Sequence, residues 1–406
     1  MIQGWCPNLF TPMQSGDGWL VRVAPRRSVL SAADAWRIAA AASQHGSGII
    51  ELTNRGNLQI RGLTQASAGL FAEAMVAAGI ASRRAGHPML VSPVIDADPS
   101  VAAETMAIAD ALETALADAD DIGGQSNADD IGGLPDKFLF VVDGGGAAGL
   151  RNVRADIAVR SMNGAWGIWL DGEPLGAACE AGLVAEAVLG LARHFLANAG
   201  GARRMRDFVR SAGSAGLFQA VNLVAYLAPA ANKKNDWIGF QALTGQTGGF
   251  ALGIPFGQMT ADGLRDLAAW SEQFGDATLR ITPWRSVILA GVPIGLAAAL
   301  GQAAIGWITD RTDPRLYILA CPGQPGCQSA TVAARADAGL LATLPLQSLV
   351  HVSGCAKGCA HPFPAPITLV GQNGTYSLIR NGRANDFPTT TGLTLAEAKK
   401  MLMETL

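Results

Sequence analysis

Four cysteines arranged as two close pairs are the feature of this sequence that most restricts its fold. Cys321 and Cys327 form a C-x5-C pair, and Cys355 and Cys359 form a C-x3-C pair further along the chain. Four thiolates on two short loops favour a soft metal centre, either an iron–sulfur cluster or zinc. Structural zinc sites ordinarily use C-x2-C or C-x4-C pairs, so the spacing favours a [4Fe-4S] cluster. A disulfide pair is the remaining alternative.

The composition indicates a globular chain of more than one domain. Its 406 residues are enough for two or three domains, and 49% of them are hydrophobic. No run of about eighteen apolar residues lacks a charge, and the N-terminus has no signal-peptide pattern, so no membrane association is expected. The net charge of −3 argues against nucleic-acid binding. Six cysteines, four of them clustered, do not resemble a secreted disulfide framework, which favours a cytoplasmic location.

Residues 1–80 follow the order of a ferredoxin-like half-domain. Alternating apolar residues predict strands, and apolar residues at helical spacing predict helices, with Ser31 as the cap of the first helix. The resulting order is β-α-β-β-α, which lacks only a last strand. The predicted elements span, in order, residues 18–25, 31–45, 48–53, 58–63 and 69–79.

The same order returns in residues 241–305, which predicts an internal duplication. Residues 52–63 and 281–292 share a threonine, an arginine, a glycine and the same apolar alternation, and we interpret Arg285 as the counterpart of Arg55. Two incomplete sheets would then pair across a pseudo-two-fold axis and bury each other's faces. The predicted elements span residues 248–255, 260–274, 278–282 and 286–292.

Each half-domain is followed by an α/β module, so the whole chain is predicted to be an α+β protein. Residues 81–240 contain the first module and the connection between the halves, and residues 306–406 contain the cysteine pairs. In the first module we predict strands at 137–143, 157–160 and 166–170 and a helix over 178–198. In the second we predict strands at 366–371 and 375–380 and a helix that begins at Thr394.

The order of these motifs resembles that of the siroheme-dependent sulfite and nitrite reductases. The duplicated half-domain, residues 53–59 (TNRGNLQ), residues 134–138 (LPDKF) and both cysteine pairs occur in that order over nearly the whole chain. Within this superfamily, residues 4–7 (GWCP) and 12–18 (PMQSGDG) look most like the precorrin-3B synthase family of aerobic cobalamin biosynthesis. The resemblance implies a reductase-like fold and a monooxygenase that hydroxylates C20 of precorrin-3A and closes a γ-lactone to give precorrin-3B.

The resemblance also implies cofactors and partners. These are a [4Fe-4S] cluster on the four cysteines, a mononuclear non-haem iron, O2, and a reductant such as NADH acting through an electron carrier. Non-haem irons often use two histidines and a carboxylate. The sequence does not identify the ligands, although His87, His351 and His361 flank the implied site. Two other functions stay open, a siroheme-dependent sulfite or nitrite reductase and a non-catalytic protein that binds a tetrapyrrole or a cluster.

The resemblance further implies tetrapyrrole-binding residues in the first half-domain. The reductases use an arginine of the first strand and a Thr-x-Arg-x3-Gln motif, which match Arg22 and Thr53, Arg55 and Gln59 in this sequence. Arginine suits a polycarboxylate macrocycle because its planar fork binds carboxylate through two hydrogen bonds. The competing interpretation is that Arg22 and Arg61 are surface arginines of their strands.

One departure from the reductase pattern bears on the reaction. The reductases have two alternate lysines after the Leu-Pro pair. Here the first is Lys137, which we predict to bind the tetrapyrrole, but Leu139 stands at the second position. A less cationic and more apolar pocket suits O2 better than sulfite or nitrite, so this change argues against sulfite reduction. Cys6 and Cys179 are isolated, and we interpret them as free thiols.

Overall fold

The computed structural model describes residues 7–80, 87–120, 133–162, 164–213, 215–227 and 237–404. Residues 4–6 of the N-terminal motif, including Cys6, lie outside the described residues. Within the described ranges, no helix is both long enough and apolar enough to cross a membrane.

The first half-domain has the predicted order β-α-β-β-α, together with two further strands of three residues each. The side chain of Ser31 accepts the N–H of Asp34 at 3.0 Å and caps α1, as expected for a serine at that position. A reciprocal pair of hydrogen bonds between Thr64 and Ser67 caps α2. The elements are β1 (Met13–Ser15), β2 (Gly18–Val23), β3 (Val29–Ser31), α1 (Ala32–His45), β4 (Ile49–Leu52), β5 (Leu58–Leu63) and α2 (Gln65–Ala77).

The first module is a six-stranded sheet in the order β11-β10-β9-β8-β7-β6, with helices packed on it. The strands β6, β7 and β8 are parallel, and the others are antiparallel. The elements are β6 (Met89–Val91), α3 (Thr105–Asp120), β7 (Phe140–Asp143), β8 (Ile157–Met162), β9 (Ala165–Leu170), β10 (Gly176–Cys179), α4 (Val184–Asn198), α5 (Met205–Ala212), α6 (Ala215–Gln219) and β11 (Ala225–Leu227).

The helix predicted over residues 178–198 begins later than expected, at Val184. Its first residues belong to β10, in which Ala178 pairs with Gly167 of β9. Alanine has a high helix propensity, but propensity is a weak preference that tertiary pairing overrides. Here the neighbouring strand decides the conformation.

The second half-domain repeats the first. The side chain of Thr260 accepts the N–H of Gly263 and caps α7, at the residue where this helix was predicted to begin. The elements are β12 (Gly239–Ala242), β13 (Thr247–Gly253), β14 (Gln258–Thr260), α7 (Ala261–Phe274), β15 (Thr278–Ile281), β16 (Ser286–Pro293) and α8 (Ala297–Ala303).

The two half-domains exchange strands and share one core. The first sheet has the order β1-β2-β5-β4-β14, and its last strand comes from the second half. The second sheet has the order β12-β13-β16-β15-β3, and its last strand comes from the first half. The helices α1 and α7 pack against each other, and a single buried cluster includes Ile38, Phe71 and Leu267. Each half therefore completes the sheet of the other.

The cysteine module is a five-stranded sheet in the order β17-β18-β19-β20-β21. The strands β17, β18 and β19 are parallel, and β19, β20 and β21 are antiparallel. Thr394 and Glu397 form a capping box at the start of α10. The elements are β17 (Ile318–Ala320), α9 (Ala334–Leu341), β18 (Val350–Ser353), β19 (Ala365–Gln372), β20 (Thr375–Gly382), β21 (Thr390–Leu393) and α10 (Leu395–Met403).

Candidate functional site

Two parallel strands bring the cysteine pairs together. The strand β17 ends at Ala320 and leads directly into Cys321, while β18 ends at Ser353, two residues before Cys355. Ala320 lies opposite Val352, whose carbonyl accepts the N–H of Cys321 at 3.2 Å. Because neighbouring parallel strands end at the same edge of a sheet, the two cysteine loops leave the sheet side by side.

The four thiols share one electrostatic environment. Partial desolvation raises the pKa of Cys359, and the nearby thiols of Cys355, Cys321 and Cys327 raise it further. Burial also raises the pKa of Cys321, although the N–H of Gly354 donates to its Sγ at 3.1 Å and opposes that shift. Backbone hydrogen bonds to sulfur are one of the means by which proteins tune iron–sulfur clusters. The four thiols therefore lie close enough to one another to interact, as the ligands of one cluster would.

A single metal ion fits this region less well. Within the described ranges, no three His, Cys, Asp or Glu side chains are grouped so that they could hold one metal ion. Each thiolate around a [4Fe-4S] cluster binds its own iron atom, so the four sulfurs need not converge on one point. The four cysteines could therefore hold a cluster without forming such a group. The described residues do not provide a ligand set for the predicted mononuclear non-haem iron.

The first cysteine loop docks on the hairpin formed by β1 and β2. The side chains of Arg61 and Ser15 both donate to the carbonyl oxygen of Gly326, at 2.8 and 3.1 Å. Gly16 passes so close that a Cβ there would lie 2.9 Å from the backbone nitrogen of Cys327. Because Gly16 has no side chain, the two backbones can touch. The cysteine loop is therefore fixed directly to the first half-domain.

Behind this contact lies a buried ion network centred on Glu51. Arg61 donates to one carboxylate oxygen at 3.1 Å, and Arg335 of α9 donates to the other at 2.5 Å. The side chain of Gln59 adds a hydrogen bond of 2.7 Å. Burial opposes the ionisation of Glu51, but Arg335 and Arg61 outweigh it and hold the pKa of Glu51 below its ordinary value. Arg61 is only 3% exposed, so its interpretation as a surface arginine is wrong.

Two of the predicted tetrapyrrole-binding residues join this network. Arg22 of β2 lies opposite Gln59 of β5, and its Nε donates to Oε1 of Gln59 at 3.1 Å. Gln59 in turn donates to Glu51. Directly opposed residues of an antiparallel pair point to the same face of the sheet. Arg22 and Gln59 therefore present their side chains together on one face of the first half-domain.

The other predicted residues, Thr53, Arg55 and Lys137, meet where the first half-domain contacts the first module. The side-chain oxygen of Thr53 accepts the N–H of Arg55 at 3.3 Å and that of Asn57 at 3.2 Å, which shapes the turn between β4 and β5. The guanidinium of Arg55 donates to the carbonyl oxygen of Lys137 at 3.1 Å. This turn leads into β5 shortly before Gln59, so both groups lie at the same end of that strand.

The turn between β15 and β16 has the same hydrogen bonds, but its residues correspond to those of the first turn in a different register from the predicted one. The side-chain oxygen of Thr282 accepts the N–H of Trp284 at 3.2 Å and that of Ser286 at 3.3 Å, as the threonine of the first turn does with its own neighbours. Trp284 is therefore the counterpart of Arg55. The interpretation of Arg285 as that counterpart is wrong by one residue.

An apolar wall lies beside these turns. Trp284 packs against a buried cluster that contains Leu139, Val141 and Trp169 of the first module. The guanidinium of Arg160 lies 5.6 Å from the ring centroid of Trp169, within range of a cation–π contact. Burial lowers the pKa of Arg160. This arginine was not predicted from the sequence, where its only signal is its position next to buried residues on a predicted strand.

Two of the three histidines predicted to flank the site are neighbours. His351 of β18 is fully buried, and its ring centroid lies 5.7 Å from that of His361. Neither ring nitrogen of His351 has a hydrogen-bond partner among the described residues. Burial, reinforced by His361 and Arg285, lowers the pKa of His351 to about 4, so its ring is neutral at pH 7. His87 instead lies edge-on to Phe140 in the first module.

Known proteins share this fold. Residues 11–78 and 244–304 match the family described as the nitrite/sulfite reductase ferredoxin-like half domain. The solved structure of the Mycobacterium tuberculosis NirA protein is similar with a TM-score of 0.72 and 18% identity, over 95% of this chain and 79% of that chain. A ferredoxin–nitrite reductase of Synechococcus elongatus is 26% identical, with 79% of this chain and 70% of the relative aligned. The fold and the paired half-domains are thus those of the nitrite and sulfite reductases, and the predicted α+β fold with duplicated ferredoxin-like halves is confirmed.

A precorrin-3B synthase of a Sinorhizobium species is more similar than these reductases. It is 35% identical over 407 aligned positions, which cover 96% of this chain and 85% of the relative. The chain belongs to the precorrin-3B synthase family. This result confirms the predicted family and the prediction that the protein is an oxidoreductase.

Proposed function

We propose that this chain converts precorrin-3A to precorrin-3B in aerobic cobalamin biosynthesis. One oxygen atom of O2 would enter the product with hydroxylation at C20 and closure of the ring A γ-lactone. The other oxygen atom would leave as water, with two electrons from a reductant and two protons. The observation that carries this proposal is the 35% identity to the Sinorhizobium precorrin-3B synthase over 96% of the chain. The fold alone would not support this reaction, because proteins with the same fold catalyse different reactions.

The four-cysteine site supports the presence of a [4Fe-4S] cluster on Cys321, Cys327, Cys355 and Cys359. When bound, the cluster would supply single electrons to the site. The chain holds the thiols on two adjacent loops, and the N–H of Gly354 donates to the sulfur of Cys321 at 3.1 Å. Such a hydrogen bond stabilises negative charge on sulfur and helps to set the reduction potential. We propose that the electrons come from NADH through an electron-carrier protein.

The first half-domain supports a site for an acidic tetrapyrrole. Precorrin-3A carries eight carboxylates around a macrocycle, and its recognition requires fixed cations with apolar walls for the ring. Arg22, Arg55 and Lys137 would supply the cations, because guanidinium and ammonium groups form charge-assisted hydrogen bonds with carboxylates. Gln59 orients Arg22 through a bond of 3.1 Å, and Thr53 shapes the turn that presents Arg55. The wall around Trp284 would exclude water from the ring.

The buried position of Leu139 favours oxygenation over reduction of an oxyanion. In the reductases the resemblance places a lysine here, which would bind and protonate sulfite or nitrite. Leu139 is 4% exposed and lies among apolar side chains, so it offers an environment suited to O2 rather than to an anion. The second candidate, a siroheme-dependent nitrite or sulfite reductase, is favoured by the shared fold and the 26% identity to the Synechococcus enzyme.

An assay of the purified protein would separate these functions. The protein would be purified without oxygen, analysed for iron and sulfide, and incubated with precorrin-3A, a reductant and 18O2. We expect a hydroxylactone that is heavier by one labelled oxygen atom, and no product when O2 is withheld. Bound sirohaem together with reduction of sulfite or nitrite would support the second candidate. A protein that carries a cluster and binds precorrin-3A without turnover would be a carrier.

Replacing Arg55 with alanine is expected to weaken binding of precorrin-3A. The lost charged hydrogen bond should cost about 1–3 kcal/mol of binding free energy. Anaerobic titration followed by absorbance would measure the affinity. Arg37→Ala is a suitable control, because Arg37 is exposed on α1 and pairs with Asp34 at 2.9 Å. Unchanged affinity in Arg55→Ala would remove Arg55 from the binding site.

A further inference from the structure

Arg285 has a backbone conformation that ordinarily belongs to glycine. Its φ is +61°, and the first half-domain has Gly56 at the equivalent position of its turn, with φ of +64°. A side chain in this left-handed region strains the backbone, and residues held in such conformations cluster at functional sites. The turn is nevertheless fixed, because the carbonyl oxygen of Arg285 accepts the N–H of Ile254 at 2.9 Å.

The side chain of Arg285 is half-buried, and its hydrogen bonds are incomplete. The Nη1 atom is buried and has no hydrogen-bond partner among the described residues. Gly257 makes room for the side chain, since a Cβ at that position would lie 2.9 Å from Cδ of Arg285. A buried charged donor without an acceptor is unfavourable. An acceptor provided by a ligand would remove that penalty.

The charged groups that face Arg285 do not supply this acceptor. Its neighbours Arg335, His351 and His361 carry positive or no charge, and burial together with repulsion from Arg335 lowers the pKa of Arg285. Glu51 attracts Arg285. The two carboxylate oxygens of Glu51, however, already accept hydrogen bonds from Arg335 and Arg61. The surroundings of Arg285 therefore have an excess of positive charge.

This excess of positive charge selects between two kinds of ligand. The unbonded ring nitrogens of His351, with His361 at 5.7 Å, would by themselves suit a metal ion. Arg285 would repel a metal ion beside them, because charges interact strongly where water is excluded. A carboxylate instead accepts two parallel hydrogen bonds from a guanidinium, which matches an arginine with an open donor. The expected ligand is an anion.

We propose that Arg285 binds a carboxylate of the acidic tetrapyrrole, from the second half-domain. This assignment rests on the proposed function and adds a contact to those of Arg22 and Arg55. The two half-domains would then contribute different turn positions to one site. The first uses Arg55, while the second places Trp284 at that position and uses Arg285 at the position of Gly56. Arg285 would favour macrocycles that carry a carboxylate at this point of the ring.

The substitution Arg285→Gly separates a binding role from a structural one. Glycine is the residue of the first turn, so the variant loses the strained side chain and the buried charge and should melt at the same or a higher temperature than the wild type. Uroporphyrin III, a stable macrocycle with eight carboxylates, serves as the probe for the full-length protein. Quenching of tryptophan fluorescence measures its affinity, which should fall about 10- to 100-fold. Arg37→Gln should bind as the wild type does.

The outcomes distinguish this contact from the proposed reaction. Equal affinity of Arg285→Gly and wild type, no binding of uroporphyrin III by the wild type, or weaker binding with a lower melting temperature would each overturn the proposal. Arg285→Lys keeps the charge and should retain part of the affinity. A wild type that binds uroporphyrin III through Arg285 but forms no hydroxylactone from precorrin-3A would refute the reaction and leave this contact standing.

Discussion

Replacing Cys355 with alanine is expected to give a protein that assembles no [4Fe-4S] cluster. Cys355 lies two residues beyond the end of β18, and its thiol lies in the same electrostatic environment as those of Cys321, Cys327 and Cys359. Clusters of this type require four thiolates, so the loss of one removes an iron ligand that the loop cannot replace. Iron and acid-labile sulfide in anaerobically purified protein, with the visible absorption of the cluster, would measure the effect. Oxygenation of precorrin-3A should be lost with it.

The matched control is Cys179→Ala. Cys179 is a buried cysteine of β10 that belongs to the core of the first module, separate from the cysteine loops. Its replacement by a residue of similar size should leave iron and sulfide at the wild-type level. If Cys355→Ala kept full iron and sulfide as well, the assignment of the four cluster ligands would be wrong.

The helices of this fold were predictable because their signals are local. The helices predicted to begin at Ser31, Thr260 and Thr394 do so, and each of these residues caps its helix by accepting a hydrogen bond from a nearby N–H. The exchange of β3 and β14 between the half-domains was not predictable. Each of these strands has three residues, too few for a recognisable alternation, and their partners lie far away in the sequence.

The candidate site shows the same division between local and distant signals. The cysteine pairs could be recognised in the sequence because the two members of each pair lie on one short loop. The ion network could not be predicted, because Glu51 and Arg335 are 284 residues apart and neither belongs to a motif. Arg285 was wrongly paired with Arg55 because each turn contains one arginine, and the two arginines stand at positions that differ by one residue. The hydrogen bonds of Thr282 fix the correct register.

Replacing Arg61 with alanine is expected to destabilise the protein more than replacing Arg22, Arg37 or Arg55 would. Arg61 is 3% exposed and binds Glu51 at 3.1 Å and Asp17 at 2.7 Å, and it also holds the cysteine loop at Gly326. Its removal leaves the buried carboxylate of Glu51 and the half-buried carboxylate of Asp17 with fewer partners, and breaking a buried pair typically costs about 3–5 kcal/mol. Urea titration of the full-length protein would measure the free energy of unfolding.

The pH dependence of this effect has a defined sign. The folded protein holds the pKa of Glu51 below its ordinary value of 4.5, so the ionised carboxylate contributes stability above that pH, and this contribution is lost as the pH falls through the folded-state pKa. The decrease in the free energy of unfolding caused by Arg61→Ala should therefore be largest near pH 7 and smaller in acid. Arg37→Ala, which breaks an exposed pair, should cost at most about 1 kcal/mol at every pH. Equal losses for both variants at pH 7 would show that the network around Glu51 does not stabilise the junction between the half-domain and the cysteine loop.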